Sequence, residues 1–400
     1  MLTENPMTAL ERRVVASLAL LYSFRMLGLF MALPLLALYA VDMKGATPLL
    51  IGLALGAYGA TQAGLQIPLG WLSDRIGRKP VILAGLAVFA GGSVIAALAD
   101  SVAMVAVGRA LQGAGAISSS VMALAADLTS NEQRTKAMAV IGISIGLSFA
   151  VALILGPIVA SWGGLSAVFW VTAVFAVVGI LVILFGVPNS ETRYHEDIGA
   201  SPRMFGRVLR EPSLLRLDAS VFILHFVLTA SFLVVPAVIE GTLQVERDSH
   251  WKVYLPVLVI SLLAMAPLLH LSERGKRPAL ALRIAVVLMP GALMLLLLES
   301  TTWVIYGALC AFFAAVNYLE AVLPSLVSKT VFAHGKGTAL GVYSTCQFLG
   351  AFVGGSFGGY IFQASGLEGL ISVVGIAAVA WLLIVWNLIP AQPQGELASS

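Results

Sequence analysis

Gly70-Trp71-Leu72-Ser73-Asp74-Arg75-Ile76-Gly77-Arg78-Lys79-Pro80 is the stretch on which the reading of this chain turns. It is a short charged island between two apolar runs, 49–70 and 81–98. Each run is close to the ~20 apolar residues an α-helix needs to cross a bilayer. The island is therefore a tight turn at a membrane face. Gly70 and Gly77 allow the turn and a close approach of its helices, and Asp74 with Arg75, Arg78 and Lys79 forms a charged cluster there. The whole composition agrees. Apolar residues make up 59% of the chain and charged residues 11%, against roughly 45–50% and about 25% in globular domains. The mean hydropathy is +0.97, and 23 basic and 20 acidic residues cannot coat 400 residues as a soluble surface. The same numbers exclude a disordered chain, a collagen-like repeat and a secreted disulfide scaffold. A net charge of +3 gives no argument for nucleic acid. Cys310 and Cys346 both lie in apolar runs, so neither a disulfide framework nor a metal cluster is expected.

Working outward, twelve such runs are found: 14–40, 49–70, 81–98, 102–125, 137–160, 167–187, 215–238, 252–270, 279–298, 302–326, 337–362 and 367–389. They are continuously apolar, not alternating, which excludes a β-barrel. The first is longer than a signal-peptide core and lacks a cleavage signature, so it is read as a retained span. With the N-terminus inside, the inner segments hold Arg12, Arg13, Arg75, Arg78, Lys79, Arg134, Lys136, Arg193, Arg203, Arg207, Arg210, Arg216, Arg274, Lys276, Arg277, Lys329 and Lys336. The outer segments hold only Lys44, Arg247 and Lys252. Basic residues mark the cytoplasmic side, so both termini are expected in the cytoplasm. The longest inner hydrophilic segment follows the sixth span and divides the chain into an N-terminal bundle (1–187), a linker (188–214), a C-terminal bundle (215–390) and a tail (391–400). The halves echo each other: Leu72-Ser73-Asp74-Arg75 recurs as Leu271-Ser272-Glu273-Arg274, and Lys136, Ala139 and Ser144 recur as Lys336, Ala339 and Ser344. Parallel six-helix repeats are a transporter architecture with a site near the midplane.

The stretch 70–80 resembles the signature G-x-L-a-D-r-x-G-r-k of the major facilitator superfamily. Arg109-Ala110-Leu111-Gln112-Gly113 is similar to the R-x-x-q-G motif of its proton-coupled members. Gly156-Pro157 matches the centre of the antiporter motif G-x-x-x-G-P-x-x-G-G, with Ala152 and Ala160-Ser161 in place of the flanking glycines. Over nearly its whole length the chain resembles the twelve-span drug:proton antiporter branch. The expected fold is therefore all-α and integral to the membrane, twelve transmembrane helices in two pseudo-symmetric six-helix bundles. A close member of that branch carries a soluble domain after the last span; this chain ends at Ser400, so it lacks that domain or has been truncated. The resemblance implies that the cluster of Gly70, Asp74, Arg75, Gly77, Arg78 and Lys79 is a latch between the halves, closed when the cavity opens outward. The N-terminus of span eleven starts at the same face and would attract Asp74. Asp127 would pair with Arg78 or Arg134. The plainer reading of the basic residues is topology and anionic headgroups.

Ionisable residues inside spans cost roughly 2.5–3.5 kcal/mol each at the centre and point to function. They are Arg25, Arg109, Asp218, His225, Arg283 and Glu320, with His270 near an end. Asp218 and Arg283 lie near the cytoplasmic edge and are expected to snorkel. Arg25, His225 and Glu320 sit deeper, within about 8 Å of one another in depth at ~1.5 Å per residue. The resemblance places their spans, with span four, around a central cavity. A carboxyl in a poorly hydrated cavity takes a proton near neutral pH, and histidine does so unaided. Glu320 is the expected coupling site, with His225 as its partner or a second site. Arg25 and Arg109 complete the proton-coupling set, Arg109 favouring departure of the proton from a nearby acid by stabilising the anion. Against that stand a static Glu320–Arg25 salt bridge, a helix-to-helix hydrogen bond from His225, and an Arg109 that serves backbone carbonyls near the glycines. One charge moved across 100 mV is worth about 2.3 kcal/mol, roughly a 50-fold gradient.

Gly113, Gly142, Gly146, Gly156, Pro157, Gly354 and Gly358 are expected to let helices pack closely. The resemblance places the pairs in spans two, five and eleven (Gly52/Gly56, Gly142/Gly146, Gly350/Gly354, Gly354/Gly358, Gly355/Gly359) at the sliding interface between halves; dimerisation is the alternative. Tyr58, Gln62, Gln66, Asn317, Tyr318, Tyr343, Gln347 and Trp251 are candidate substrate contacts of mixed apolar and polar character. The leading expectation is proton-coupled efflux of small amphipathic compounds across a bacterial inner membrane, by a monomer in contact with lipid, with the proton as coupling ion and no cofactor or metal. A symporter or facilitator of a metabolite is the second reading, and a non-transporting receptor or scaffold the third. No H-E-x-x-H, G-x-S-x-G or P-loop supports an enzyme or an ATP-driven pump.

Overall fold

A computed structural model describes residues 6–188, 202–298, 301–331, 336–386 and 388. Most of the expected linker (189–201) and the whole expected tail (391–400) lie outside the described residues. Apart from one isolated bridge between Lys44 and Ser101, regular structure among the described residues is helical. Eight helices belong to the first half of the chain or to the start of the second: α1 (Ala9–Tyr39), α2 (Pro48–Ile76), α3 (Arg78–Ala97), α4 (Val102–Ala114), α5 (Ser118–Asp127), α6 (Asn131–Gly186), α7 (Pro202–Val208) and α8 (Pro212–Ser231). Six complete the chain: α9 (Val235–Gly241), α10 (Trp251–Ala264), α11 (Ala266–Glu273), α12 (Pro278–Leu298), α13 (Thr302–Thr330) and α14 (Lys336–Trp386).

Nine described helical segments are long and apolar enough to cross a membrane. Two of these run to 51 and 50 residues, too long for one pass at ~1.5 Å per residue across a ~30 Å core. Each reverses at a glycine: Gly164 in α6 and Gly366 in α14, with φ of 62° and 61°. Only glycine adopts that conformation without strain. The same turn, in the same conformation, occurs at equivalent places in the two halves. The pair α4–α5 forms one further pass, broken at Gly115–Ile117. Counted this way, the helices follow the twelve runs of the sequence.

The starts of the helices follow from local chemistry. Thr8 and Glu11 form a capping box on α1, with Thr8 N donating to Glu11 Oε2 at 2.8 Å and Glu11 N donating to Thr8 Oγ1 at 3.1 Å. The other oxygen of Glu11 accepts from Ser130 N at 2.8 Å, which ties the approach to α6 onto α1. Thr47 caps α2 ahead of Pro48, and Ser101 caps α4.

Three apolar clusters hold the helices. One fills the C-terminal bundle, and one fills the N-terminal bundle around Leu18, Leu86, Phe89 and Leu124. The third joins the bundles: Met31, Leu35, Ala54 and Leu55 pack with Ala230, Leu233, Val234 and Leu370. These lie toward the end of the molecule that carries Asp42. Large apolar side chains such as Ile143, Leu147, Val174, Leu263, Ile376 and Leu383 are exposed on the outer faces of α6, α10 and α14, where lipid is the only solvent that suits them.

Candidate functional site: two polar cores and two gates

In the N-terminal bundle, the break between α4 and α5 decides the geometry. Gly113 and Gly115 press against α2 and α3, where a Cβ would land on the Tyr58 and Gly85 carbonyls. The helix interrupts there and frees a carbonyl. Arg25 Nη2 donates to that Gly115 oxygen at 3.0 Å and to Gln62 Oε1 at 2.8 Å, and Nη1 donates to Ser118 Oγ at 3.3 Å. Gln62 in turn donates to Ser118 Oγ and Gln66 Oε1. Arg109 donates to Gln112 Oε1 at 3.0 Å, and Gln112 to Ser93 Oγ at 2.8 Å. Both guanidinium groups face the Tyr58 ring, at 5.9 and 5.2 Å. Both arginines are 1% exposed.

This arrangement alters several expectations. The arginine that serves a backbone carbonyl near the glycines is Arg25; Arg109 serves an amide. Among the described residues Arg25 makes no salt bridge to Glu320; its two amino groups are taken by Ser118, Gln62 and Gly115. Tyr58, Gln62 and Gln66, expected to touch substrate, are buried and order the arginine instead.

In the C-terminal bundle the polar groups are a histidine, a carboxyl and an amide. His225 on α8 donates through Nδ1 to its own helix at Val221 O, 3.1 Å away. That fixes the tautomer and leaves Nε2 bare in the neutral ring. Gln347 on α14 donates to this Nε2 at 2.8 Å, and Glu320 Oε1 on α13 lies 3.1 Å from it. A neutral Nε2 can accept from the amide or from a protonated Glu320. A protonated Nε2 becomes a donor to Glu320 and obliges Gln347 to present its oxygen. Three helices therefore meet at one exchangeable proton. Asn317 points elsewhere, donating to Ser261 Oγ at 3.1 Å, and Tyr318 is fully buried. Trp251 sits at the start of α10 beside Lys252.

Among the remaining ionisable residues, Arg283 reaches the Trp386 carbonyl at 2.6 Å and its ring at 4.4 Å. His270 is exposed. Asp218, expected to snorkel, is only 5% exposed, and its Oδ2 has no hydrogen-bond partner. Counting turns from the helix start placed it near the edge without showing what packs over it.

The end of the molecule around Asp74 is built on Arg78. This residue pairs with Asp74, donates from Nη1 to Ser73 Oγ at 2.8 Å, and from Nε to Asp127 Oδ2 at 3.2 Å. Gly77, with φ of 100°, makes the turn, and Gly70 packs on Ser119. Lys79 donates to Val187 O at 2.7 Å, Arg75 covers the Trp71 ring at 3.7 Å, and Arg134 reaches Ala126 O at 3.4 Å. Asp74 and Arg78 thus pair within the N-terminal bundle. No hydrogen bond or ion pair joins Asp74 to α14 among the described residues.

At the opposite end the bundles meet directly. A Cβ at Gly52, Gly56 or Gly59 would strike the Gly355, Phe352 or Phe348 carbonyl of α14. Arg247 donates to Asp42 Oδ2 at 2.7 Å across the seam and to Glu240 Oε1 at 2.9 Å, and faces Tyr39 at 5.6 Å. Gly354 and Gly358, expected on this seam, pack instead on Phe226 and Ala230 of α8 within their own half. They lie about 100° around the helix from Gly355 and Gly359. Gly156 packs on Met31 of α1, with Pro157 buried beside it. At Gly142 and Gly146 a Cβ would meet nothing within 4 Å, so the expected close packing there is not seen.

The Major Facilitator Superfamily profile matches residues 18–355. The chain is 44% identical over 385 residues to the inner membrane transport protein YajR of Escherichia coli, covering 96% of this chain and 85% of the relative. It is 23% identical over 368 residues to the multidrug resistance protein MdtH of Klebsiella pneumoniae, covering 90% and 87%. A solved bacterial homologue of the human lysosomal transporter Spinster, inward-facing and occupied, superposes with a TM-score of 0.74 at 13% identity, covering 96% and 98%.

Proposed function

The chain belongs to the Major Facilitator Superfamily, and from that premise we propose that this membrane transporter, which is not an enzyme, exports small amphipathic compounds in exchange for protons. The observation that carries the reading is the meeting of His225, Glu320 and Gln347 from three helices at one exchangeable proton. Glu320 is 38% exposed in its side chain, so the pair can trade protons with water. The MdtH likeness supports a drug-like substrate.

The two gates fix the state in our reading. The Asp42 end is sealed by glycine-on-carbonyl packing and an apolar cluster shared by both bundles. At the Asp74 end the charged cluster makes its hydrogen bonds and ion pairs within the N-terminal bundle. With basic residues marking the cytoplasm, this is a cytoplasm-facing state with both termini inside, in an inner membrane as for YajR. Arg78 then acts as a clasp that parks Asp74 on Asp127's side until the bundles rock back.

The test is uptake into proteoliposomes with an imposed pH gradient, using a panel of lipophilic cations. Gradient-driven accumulation is expected for wild type and its loss in Glu320→Gln. Accumulation that ignores the gradient would remove the coupling proposal; coupling intact in Glu320→Gln would remove the site.

A further inference from the structure

Asp218 is the buried ionisable group that the His225–Glu320 pair leaves unexplained. It precedes His225 by seven residues on α8, so the two share a face to within ~20° and lie about 10 Å apart along the axis. Its side chain is 5% exposed, with Oδ2 unpartnered. On the facing helix α14, Tyr343 is also 5% exposed, and its hydroxyl has no partner. Tyr343 lies one turn before Gln347, which touches His225, and within electrostatic reach of both Glu320 and Asp218. Two unsatisfied buried polar groups on packed helices are uncommon in native structures. Here they extend the titratable cluster by two turns toward the Asp74 end.

The other titratable groups around Asp218 can be named. From α14 these are Tyr343 and Cys346. From α13, Glu320 reaches Tyr343. On α2, which also touches α8, Tyr58 is held under Arg25 and Arg109, Asp74 by Arg78, and Arg75 over Trp71. No ion pair to Asp218 occurs among the described residues. An unpaired carboxylate is costly in such a place, and a bound proton removes the cost.

We propose that Asp218 is a second proton-binding carboxyl, buried on the same face of α8 as His225 and loaded separately from the His225–Glu320 pair. The inference rests on the proton-coupled reading above. The proton joins a carboxylate oxygen of Asp218 and leaves it again for water, so the carboxyl alternates between a neutral and an anionic form with no other bond changed.

The test uses the proton itself as probe: infrared difference spectra of the reconstituted full chain during a pH titration. Wild type is expected to show two carboxyl carbonyl components that fade as pH rises. Asp218→Asn should remove one and Glu320→Gln the other. Labelling aspartate with carbon-13 in the unmutated protein should shift the Asp218 component alone, so the result does not depend on the variant folding. A titration in which neither carbon-13 aspartate nor Asp218→Asn alters a component would overturn the proposal. A wild-type titration that shows the aspartate component but none altered by Glu320→Gln would leave Asp218 standing and instead count against the coupling site.

Discussion

The two bundles carry polar cores built on opposite principles. In the N-terminal bundle the charges are permanent: Arg25 and Arg109 are guanidinium groups, held by neutral amides, hydroxyls, a freed carbonyl and aromatic faces. In the C-terminal bundle the groups are His225, Glu320 and Asp218, whose charge depends on bound protons. Fixed positive charge on one side and variable charge on the other is a simple way to make proton occupancy change the attraction between two rigid bodies. The first core holds its charge with neutral partners on the guanidinium amino groups, the second with groups whose own charge can change.

The sharpest way to break this contrast is at Arg25. Arg25→Leu strands the Gln62 oxygen and the Gly115 carbonyl, at about 1–3 kcal/mol each. A large fall in thermal midpoint is expected by fluorescence-detected size exclusion, with Arg25→Lys recovering part of it. Wild-type stability in Arg25→Leu would show that the N-terminal core is not structural. Next in size is the seam between bundles. Gly52→Val drives a side chain into the Gly355 carbonyl, and overpacking of this kind costs about 1–3 kcal/mol. Thiol probes near Asp42 should then gain access, while the stability of each bundle holds; unchanged labelling would mean the seam is not needed to seal that end. Arg247→Ala removes ion pairs that are partly exposed, worth about 0–1 kcal/mol. It should widen access only a few-fold, and high salt should mimic it in wild type. A large effect would mean the charges, not the glycines, hold the seam. The smallest effect is expected at Gly142→Ala, which enters open space and removes a flexible residue from a helix, a gain of roughly 0.5–1 kcal/mol at most. A loss of stability or of activity there would reveal close packing in another state.

Most of the fold was legible because the bilayer asks for long apolar runs and punishes anything else. The breaks between spans at 160–167 and 362–367 anticipated the reversals at Gly164 and Gly366. The site was legible in part. His225 and Glu320 were recognised because charge in a span is rare, and their depths could be compared by counting residues. What counting cannot show is the helix face. Gly354 and Gly355 are neighbours in sequence, yet one packs inside its own half and the other across the seam. Burial by other helices was equally hidden, so Asp218 was placed at the edge when it is covered, and Tyr58, Gln62 and Gln66 were placed against substrate when they support Arg25. The Asp42–Arg247 contact joins residues 205 apart in two short loops, with no periodicity to announce it.

The most direct test is a distance measured across the sealed end as pH changes. Spin labels at Lys44 and Thr242, both exposed, with Cys310 and Cys346 replaced by serine, report whether the bundles are together there. If protons on the C-terminal cluster favour the cytoplasm-facing state, acid should enrich the short distance and alkali the long one. Glu320→Gln, fixed in a neutral form, should hold the short distance with much less response to pH. A distance distribution that is the same at every pH, or a Glu320→Gln protein that responds as wild type does, would contradict it.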